Sequence, residues 1–190
     1  MLCSDVRRSS LLLTLVALVA TAAPARSQVV LLTREQALKQ IFPDAATTAD
    51  ESRTLSSAQR TRLEHDLGRR IDEEEIVVTR VLDGDGVLRG YAVVSEEIGK
   101  YRPITFMVGV TPDFTVRDVT VMIYRESRGG DVKRPRFLNQ YRGKSARDPI
   151  DVNRDIINIS GATISVRSLN AGVKRVLAEV AALYGKRAPP

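Results

Sequence analysis

Cysteine is almost missing from this chain: Cys3 is the only one among 190 residues, and it precedes an apolar run instead of ending it as a lipoprotein cysteine would. Loss of the leader described below would leave no cysteine, which excludes disulfides, thiol catalysis and thiolate metal sites from the remainder. Histidine is as scarce. His65 stands alone in a polar stretch, so it reads as solvent-exposed, and thiol–histidine catalysis and histidine-cluster metal sites drop out. No Gly-x-Ser-x-Gly sequence supports a serine hydrolase. Asp83-Gly84-Asp85-Gly86 opens like a calcium loop but lacks the later ligands and the closing glutamate, so it reads as a plain turn. No catalytic or metal-ligating residue is assigned.

What is present is ordinary globular material, 43% hydrophobic and 27% charged, enough for one domain after removal of a leader. The formal charge of +6 comes from Lys and Arg spread along the chain among acids, which describes a solvated surface and no nucleic-acid partner.

The first residues explain more. Arg7 and Arg8 precede an apolar run from Leu11 to Ala23, broken only by Thr14 and Thr21, and then come Ala22-Ala23-Pro24-Ala25. This is the pattern of a secretory signal peptide over residues 1–27, with cleavage after Ala25 or Ser27 both compatible with a small-x-small site. The run is short of the ~20 residues of a membrane-spanning helix, which favours a cleaved leader over an anchor. Arg7-Arg8 lacks a surrounding twin-arginine motif, so the general secretion route is expected. The expected location is periplasmic or otherwise exported.

Residues 28–75 read as an N-terminal helical segment. Thr33 precedes a helix over 34–42 that Pro43 stops, residues 44–54 are polar without period, and Ser57–Leu67 forms a second helix closed by Gly68. Much of 44–70 is expected to be mobile. Strands follow at 76–82 and 87–94 around the Asp83–Gly86 turn, then at 104–110 and 116–124 around Thr111-Pro112-Asp113-Phe114. A basic stretch from Lys133 to Tyr141 suggests a turn of helix. Val166, Leu169, Val173, Val176, Leu177, Val180 and Leu183 draw one apolar stripe along a C-terminal helix, with Lys174, Arg175 and Glu179 placed elsewhere on its surface. The fold class is α+β, an antiparallel sheet packed by that helix, with short N-terminal helices ahead of a domain spanning 76–190.

Immediately before the C-terminal helix lies Ile159-Ser160-Gly161-Ala162-Thr163-Ile164-Ser165. Small neighbours leave the Thr163 hydroxyl uncrowded, and free amides at a helix start can hold a phosphate. From these features alone, the better reading is that Ser160 or Thr163 merely caps the helix.

Ser160-Gly161-Ala162-Thr163-Ile164-Ser165 resembles the Ser-Gly-Ala-Thr-x-Ser/Thr motif of FMN-binding domains related to the small flavinylated subunits of Rnf- and Nqr-type complexes. The likeness extends over about residues 87–184. It includes Gly90-Tyr91, a Glu126–Gly130 loop where that family has a flavin-facing loop, and Phe137, Gln140, Tyr141 and Gly143-Lys144 in its Phe-x-x-Gln-Phe/Tyr-x-Gly-Lys pattern.

The resemblance implies FMN carried covalently through its phosphate by Thr163, with Ser160, Gly161, Ala162 and Ser165 around it and Glu126, Ser127, Arg128 and Gly129 facing the flavin. It implies an ApbE-type flavin transferase as the enzyme that attaches the cofactor, and a membrane or periplasmic redox protein as electron partner. The chain would then be an electron carrier, and the expected alternatives are a cofactor-free binding module or a non-covalent FMN oxidoreductase. Tyr101, Phe106, Tyr124 and Phe137 could cover the ring, although strand aromatics more commonly serve the core.

Overall fold

The computed structural model describes residues 29–185. Residues 1–27, read from the sequence as a signal peptide, lie outside the described residues. The elements are β1 (Val29–Val30), α1 (Arg34–Ile41), β2 (Thr47–Arg53), α2 (Ser57–Leu67), β3 (Ile76–Leu82), β4 (Leu88–Ile98), β5 (Pro103–Val110), β6 (Val116–Tyr124), α3 (Pro135–Leu138) and α4 (Thr163–Tyr184). Short 3-10 turns at Gly130–Lys133 and Asn139–Tyr141 flank α3.

Local chemistry sets the first helices. Thr33 and Ser56 each accept a hydrogen bond from the third helical residue, Gln36 or Gln59, whose side chain accepts one in return from the cap amide. These reciprocal boxes satisfy two otherwise open donors at each helix start. Gly68 closes α2 in the left-handed region that glycine adopts without penalty.

All six strands join one antiparallel sheet in the order β1-β6-β5-β4-β3-β2. The α+β reading therefore holds. On one face α4 buries Val166, Leu169, Val173, Val176, Leu177 and Val180 completely against Ile104, Phe106 and Val108 of β5 and their neighbours. Close approach needs Gly172, where a side-chain carbon would sit 2.5 Å from the Phe106 ring and 2.7 Å from Glu97. On the opposite face, α1 seals a smaller cluster of Ala37, Ile41, Phe42, Val81, Ala92, Met107 and Met122.

Three local expectations are corrected. Residues 47–53, read as aperiodic and mobile, form β2, paired with β3 along its whole length. Both faces of this edge strand are largely exposed, so it has no alternation to detect. Its side chains are held laterally, by Arg34 on Asp50, Arg80 on Glu51 and Ser52 on Glu75. Strand β4 runs on to Ile98, four residues past the expected end.

Arg175 and Glu179, placed on the outer surface of α4 by the sequence pattern, lie beneath it at 5% and 1% exposure. Arg175 reaches Glu73 at 2.7 Å, Glu97 at 3.3 Å, Glu179 at 3.4 Å and the Ser95 hydroxyl at 3.0 Å. Inward-pointing Ser95 and Glu97 of β4 make a polar pocket for a guanidinium, which hydropathy alone scores as surface. Burial pushes the Glu179 carboxyl up to about 7 despite the nearby Arg175.

Candidate functional site

The sheet and α4 meet at one end, where the β4–β5 turn, the loop after β6 and the start of α4 converge. They enclose a cavity of about 560 Å3 lined by Lys100, Tyr101, Glu126, Ser127, Arg128 and residues 161–165. That volume lies within the ~300–1,000 Å3 range of small-molecule sites. The cavity brings together Gly161, Ala162, Thr163, Ser165, Glu126, Ser127 and Arg128, seven of the nine residues singled out from the sequence.

The start of α4 is chemically open. Ala162 occupies the cap position and no side chain caps the helix. Neither Ser160 nor Thr163 acts as a cap. The first intrahelical bond to the loop runs from the Val166 amide to the Ala162 carbonyl, so the amides of Thr163, Ile164 and Ser165 have no intrahelical acceptor. Gly161, at φ 78°, takes the left-handed conformation that turns the chain into the helix. These donors and the helix dipole together favour an anion at this end.

Thr163 is half-buried, and its hydroxyl oxygen accepts a 2.9 Å hydrogen bond from Asn158 Nδ2. Asn158 Oδ1 is buried and has no partner among the described residues. Ser165 is buried, its hydroxyl 3.3 Å from Tyr124 Oη, which donates at 2.6 Å to the Arg128 carbonyl. Burial raises the Tyr124 pKa, so the phenol keeps its proton as a donor near neutrality. Tyr124 thus ties the 126–129 loop to the first turn of α4.

Glu126 is engaged in the same framework. Its Oε1 accepts from the backbone amides of Tyr101 at 2.6 Å and Arg102 at 3.0 Å, fixing the turn that carries Lys100 and Tyr101 into the cavity wall. Ser127 and Arg128 present exposed side chains to the cavity.

Two expected site residues lie off its lining. Gly129 packs behind it at φ 77°, where an added carbon would come 3.0 Å from Tyr124 Oη and 3.3 Å from Ala162 Cβ and Ser165 Oγ. Ser160 faces a neighbouring cavity of about 520 Å3, shared with Asp131, Arg134, Arg136, Phe137, Gln140 and residues 157–159. Of the aromatics considered as ring covers, Phe106 is core, Phe137 packs edge-on against Tyr141 at 5.7 Å, and Tyr124 is buried. Tyr101 alone of the four is open to solvent, at 75% exposure. Lys100, Ile164 and Asn158 were not singled out as site residues from the sequence. Their places depend on which turns meet, and only the position of Asn158 near the motif hinted at its role.

Comparison with known proteins agrees with this geometry. Residues 99–178, which contain the whole cavity lining, match the family described as FMN-binding domain. A relative, the G subunit of the proton-translocating ferredoxin:NAD(+) oxidoreductase complex of Clostridium ljungdahlii, is 30% identical over 103 residues, covering 50% of this chain and 55% of that protein. The chain thus spans about half the length of this relative.

Two solved structures share the fold. NqrC of Shewanella oneidensis aligns with a TM-score of 0.51 and 20% identity over 73% of this chain and 81% of that one. The C subunit of the Na(+)-translocating NADH-quinone reductase of Parabacteroides distasonis aligns at 0.53 and 13% identity over 79% and 83%. The likeness to FMN-binding domains, read first from Ser160–Ser165, is therefore shown for residues 99–178 of this chain.

Proposed function

We propose that the chain is an extracytoplasmic electron-transfer protein that carries FMN covalently, as a phosphoester on Thr163. The observation that carries this reading is the Thr163 hydroxyl at the uncapped start of α4, inside a cavity edged by the cations Lys100 and Arg128. The residues present fit a phosphate-bearing group. The free amides of residues 163–165 can take its anionic oxygens, Gly161 leaves the approach open, and Tyr101 offers a face for a planar ring.

The attachment chemistry draws one atom from this chain. Thr163 Oγ1 forms the new oxygen–phosphorus bond to the FMN half of FAD, the pyrophosphate bond breaks, AMP leaves, and the hydroxyl proton passes to a separate flavin transferase of the ApbE type. Once bound, a flavin supplies one- and two-electron redox chemistry, and the protein holds and orients it. Asn158 directs the Thr163 oxygen, Tyr124 and Ser165 hold the Arg128 loop against α4, and Glu126 fixes the Tyr101 turn. Export is supported by the leader-like segment 1–27. Among the described residues no helix is long and apolar enough to cross a membrane.

The test is coexpression with a flavin transferase. The protein should gain the mass of FMN less one water and fluoresce on a denaturing gel, and Thr163→Val should lose both. Flavin released on denaturation would instead indicate non-covalent FMN, and a colourless protein a cofactor-free module. Peptide mapping of the flavin to Ser160 or Ser165 would overturn the assignment.

A further inference from the structure

The surface around Thr163 has a composition that holding a cofactor does not explain. Tyr101, Ile157 and Ile164 are exposed there at 75%, 76% and 47%, on three separate segments that meet at the two adjoining cavities. Lys100, Arg128 and Arg136 line the same cavities, and none has a carboxylate partner among the described residues.

The two acids in these walls are already engaged. Glu126 accepts from the Tyr101 and Arg102 amides, and Asp131 pairs with Arg134 at 2.7 Å. Elsewhere the arginines are largely paired, as with Arg34, Arg53, Arg80, Arg89, Arg117 and Arg142. Arg70, Arg147, Arg154 and Arg167 also lack a carboxylate partner among the described residues, so what marks this face is three such cations, Lys100, Arg128 and Arg136, beside exposed apolar side chains.

Exposed apolar side chains beside unpaired cations are a combination that protein interfaces use. Exposed cations around it raise the encounter rate with an anionic surface and set its orientation. A lipid surface is the weaker fit, because the apolar residues come from two loops and a helix start, whereas interfacial membrane binding uses one continuous amphipathic stripe.

We propose that this face is the docking surface for an acidic electron-transfer protein, with Tyr101, Ile157 and Ile164 excluding water at the contact and Lys100, Arg128 and Arg136 steering the approach. The proposal rests on Thr163 as the flavin carrier, since a carrier must present its cofactor where its partner binds.

The experiment uses a small acidic [2Fe–2S] ferredoxin as probe, with amide shifts and binding followed on the flavin-loaded protein and on its Thr163→Val variant. Shifts should cluster at residues 100–102, 126–136 and 157–164 in both proteins. Affinity should fall roughly tenfold between about 0.05 and 0.25 M salt as screening shortens. The triple variant K100E/R128E/R136E should weaken binding by more than about tenfold, while K39E, on α1 across the sheet, changes it less than about twofold.

Shifts centred elsewhere, salt-independent binding, or an unaffected triple variant would overturn the docking face. So would preferential binding to phosphatidylglycerol vesicles over the ferredoxin. Failure here with a fluorescent band intact removes only the docking surface. A missing band removes the flavin reading, whatever the shifts show.

Discussion

Asn158 Nδ2 donates to Thr163 Oγ1 across 2.9 Å, and the amide has no other partner among the described residues. Thr163→Val therefore does more than delete a hydroxyl. It removes the one side-chain hydrogen bond of a half-buried amide, at a cost of about 0.5–1.5 kcal/mol. The variant should fold, with a urea midpoint lowered accordingly, and Thr163→Ser should restore the midpoint. A Thr163→Val protein as stable as the parent would show that the Asn158 contact contributes nothing.

Glu126 should act on the site through the backbone. Glu126→Ala removes the acceptor of the Tyr101 and Arg102 amides, so hydrogen exchange at those two positions should accelerate, with a stability loss of about 1–3 kcal/mol. Unchanged exchange at both amides would refute the role given to this carboxylate.

The buried cluster under α4 gives a pH dependence with a definite sign. An unfolded glutamate titrates at 4.5 and Glu179 in the fold at about 7, so the native state holds the extra proton between these values. Stability from this group is complete below pH 4.5, declines as pH rises through that window, and levels off above about 7, by no more than about 3 kcal/mol. The groups facing it are Arg175 on α4, Glu97 and Ser95 on β4, and Glu73 before β3. Glu179→Gln should flatten the profile between pH 5 and 7 in urea titrations. A parallel slope in parent and variant would assign the dependence to other groups.

Gly172 sets how closely α4 lies on the sheet. Gly172→Ala drives a methyl into Phe106 and Glu97, and overpacking of this kind costs about 1–3 kcal/mol, which should exceed the helix-propensity gain from alanine. Thermal denaturation of the variant checks the sign.

Much of the fold could be read in advance because its signals are local. Thr33, Gly68 and the stripe from Val166 to Val180 mark their helices by capping chemistry and 3.6-residue spacing, and Ile76–Leu82 and Val116–Tyr124 by apolar runs between turns. β2 was hidden because its stability comes from a ladder with β3 and from lateral ion pairs, which leave no period in Thr47–Arg53. Arg175 and Glu179 were misplaced for a related reason. Their burial depends on Ser95 and Glu97, some eighty residues earlier, pointing inward from β4. At the site, Ser160–Ser165 and Glu126–Gly130 were legible as motifs. The inclusion of Lys100 follows from the β4–β5 turn reaching α4, a long-range meeting that no segment encodes alone.

The two edges of the sheet also govern how this chain meets copies of itself. Within the described residues β1 spans Val29–Val30, and β2 carries Asp50, Glu51 and Arg53 along a strand with no apolar side chain larger than alanine. Short or charged edges are poor templates for another strand. β4 and β5 each have a partner strand along both sides, whereas β6 meets β1 only at Ile123 and Tyr124. Concentrated solutions of the folded protein should thus resist strand-to-strand aggregation at the β2 edge, and any such pairing would start along the outer side of β6.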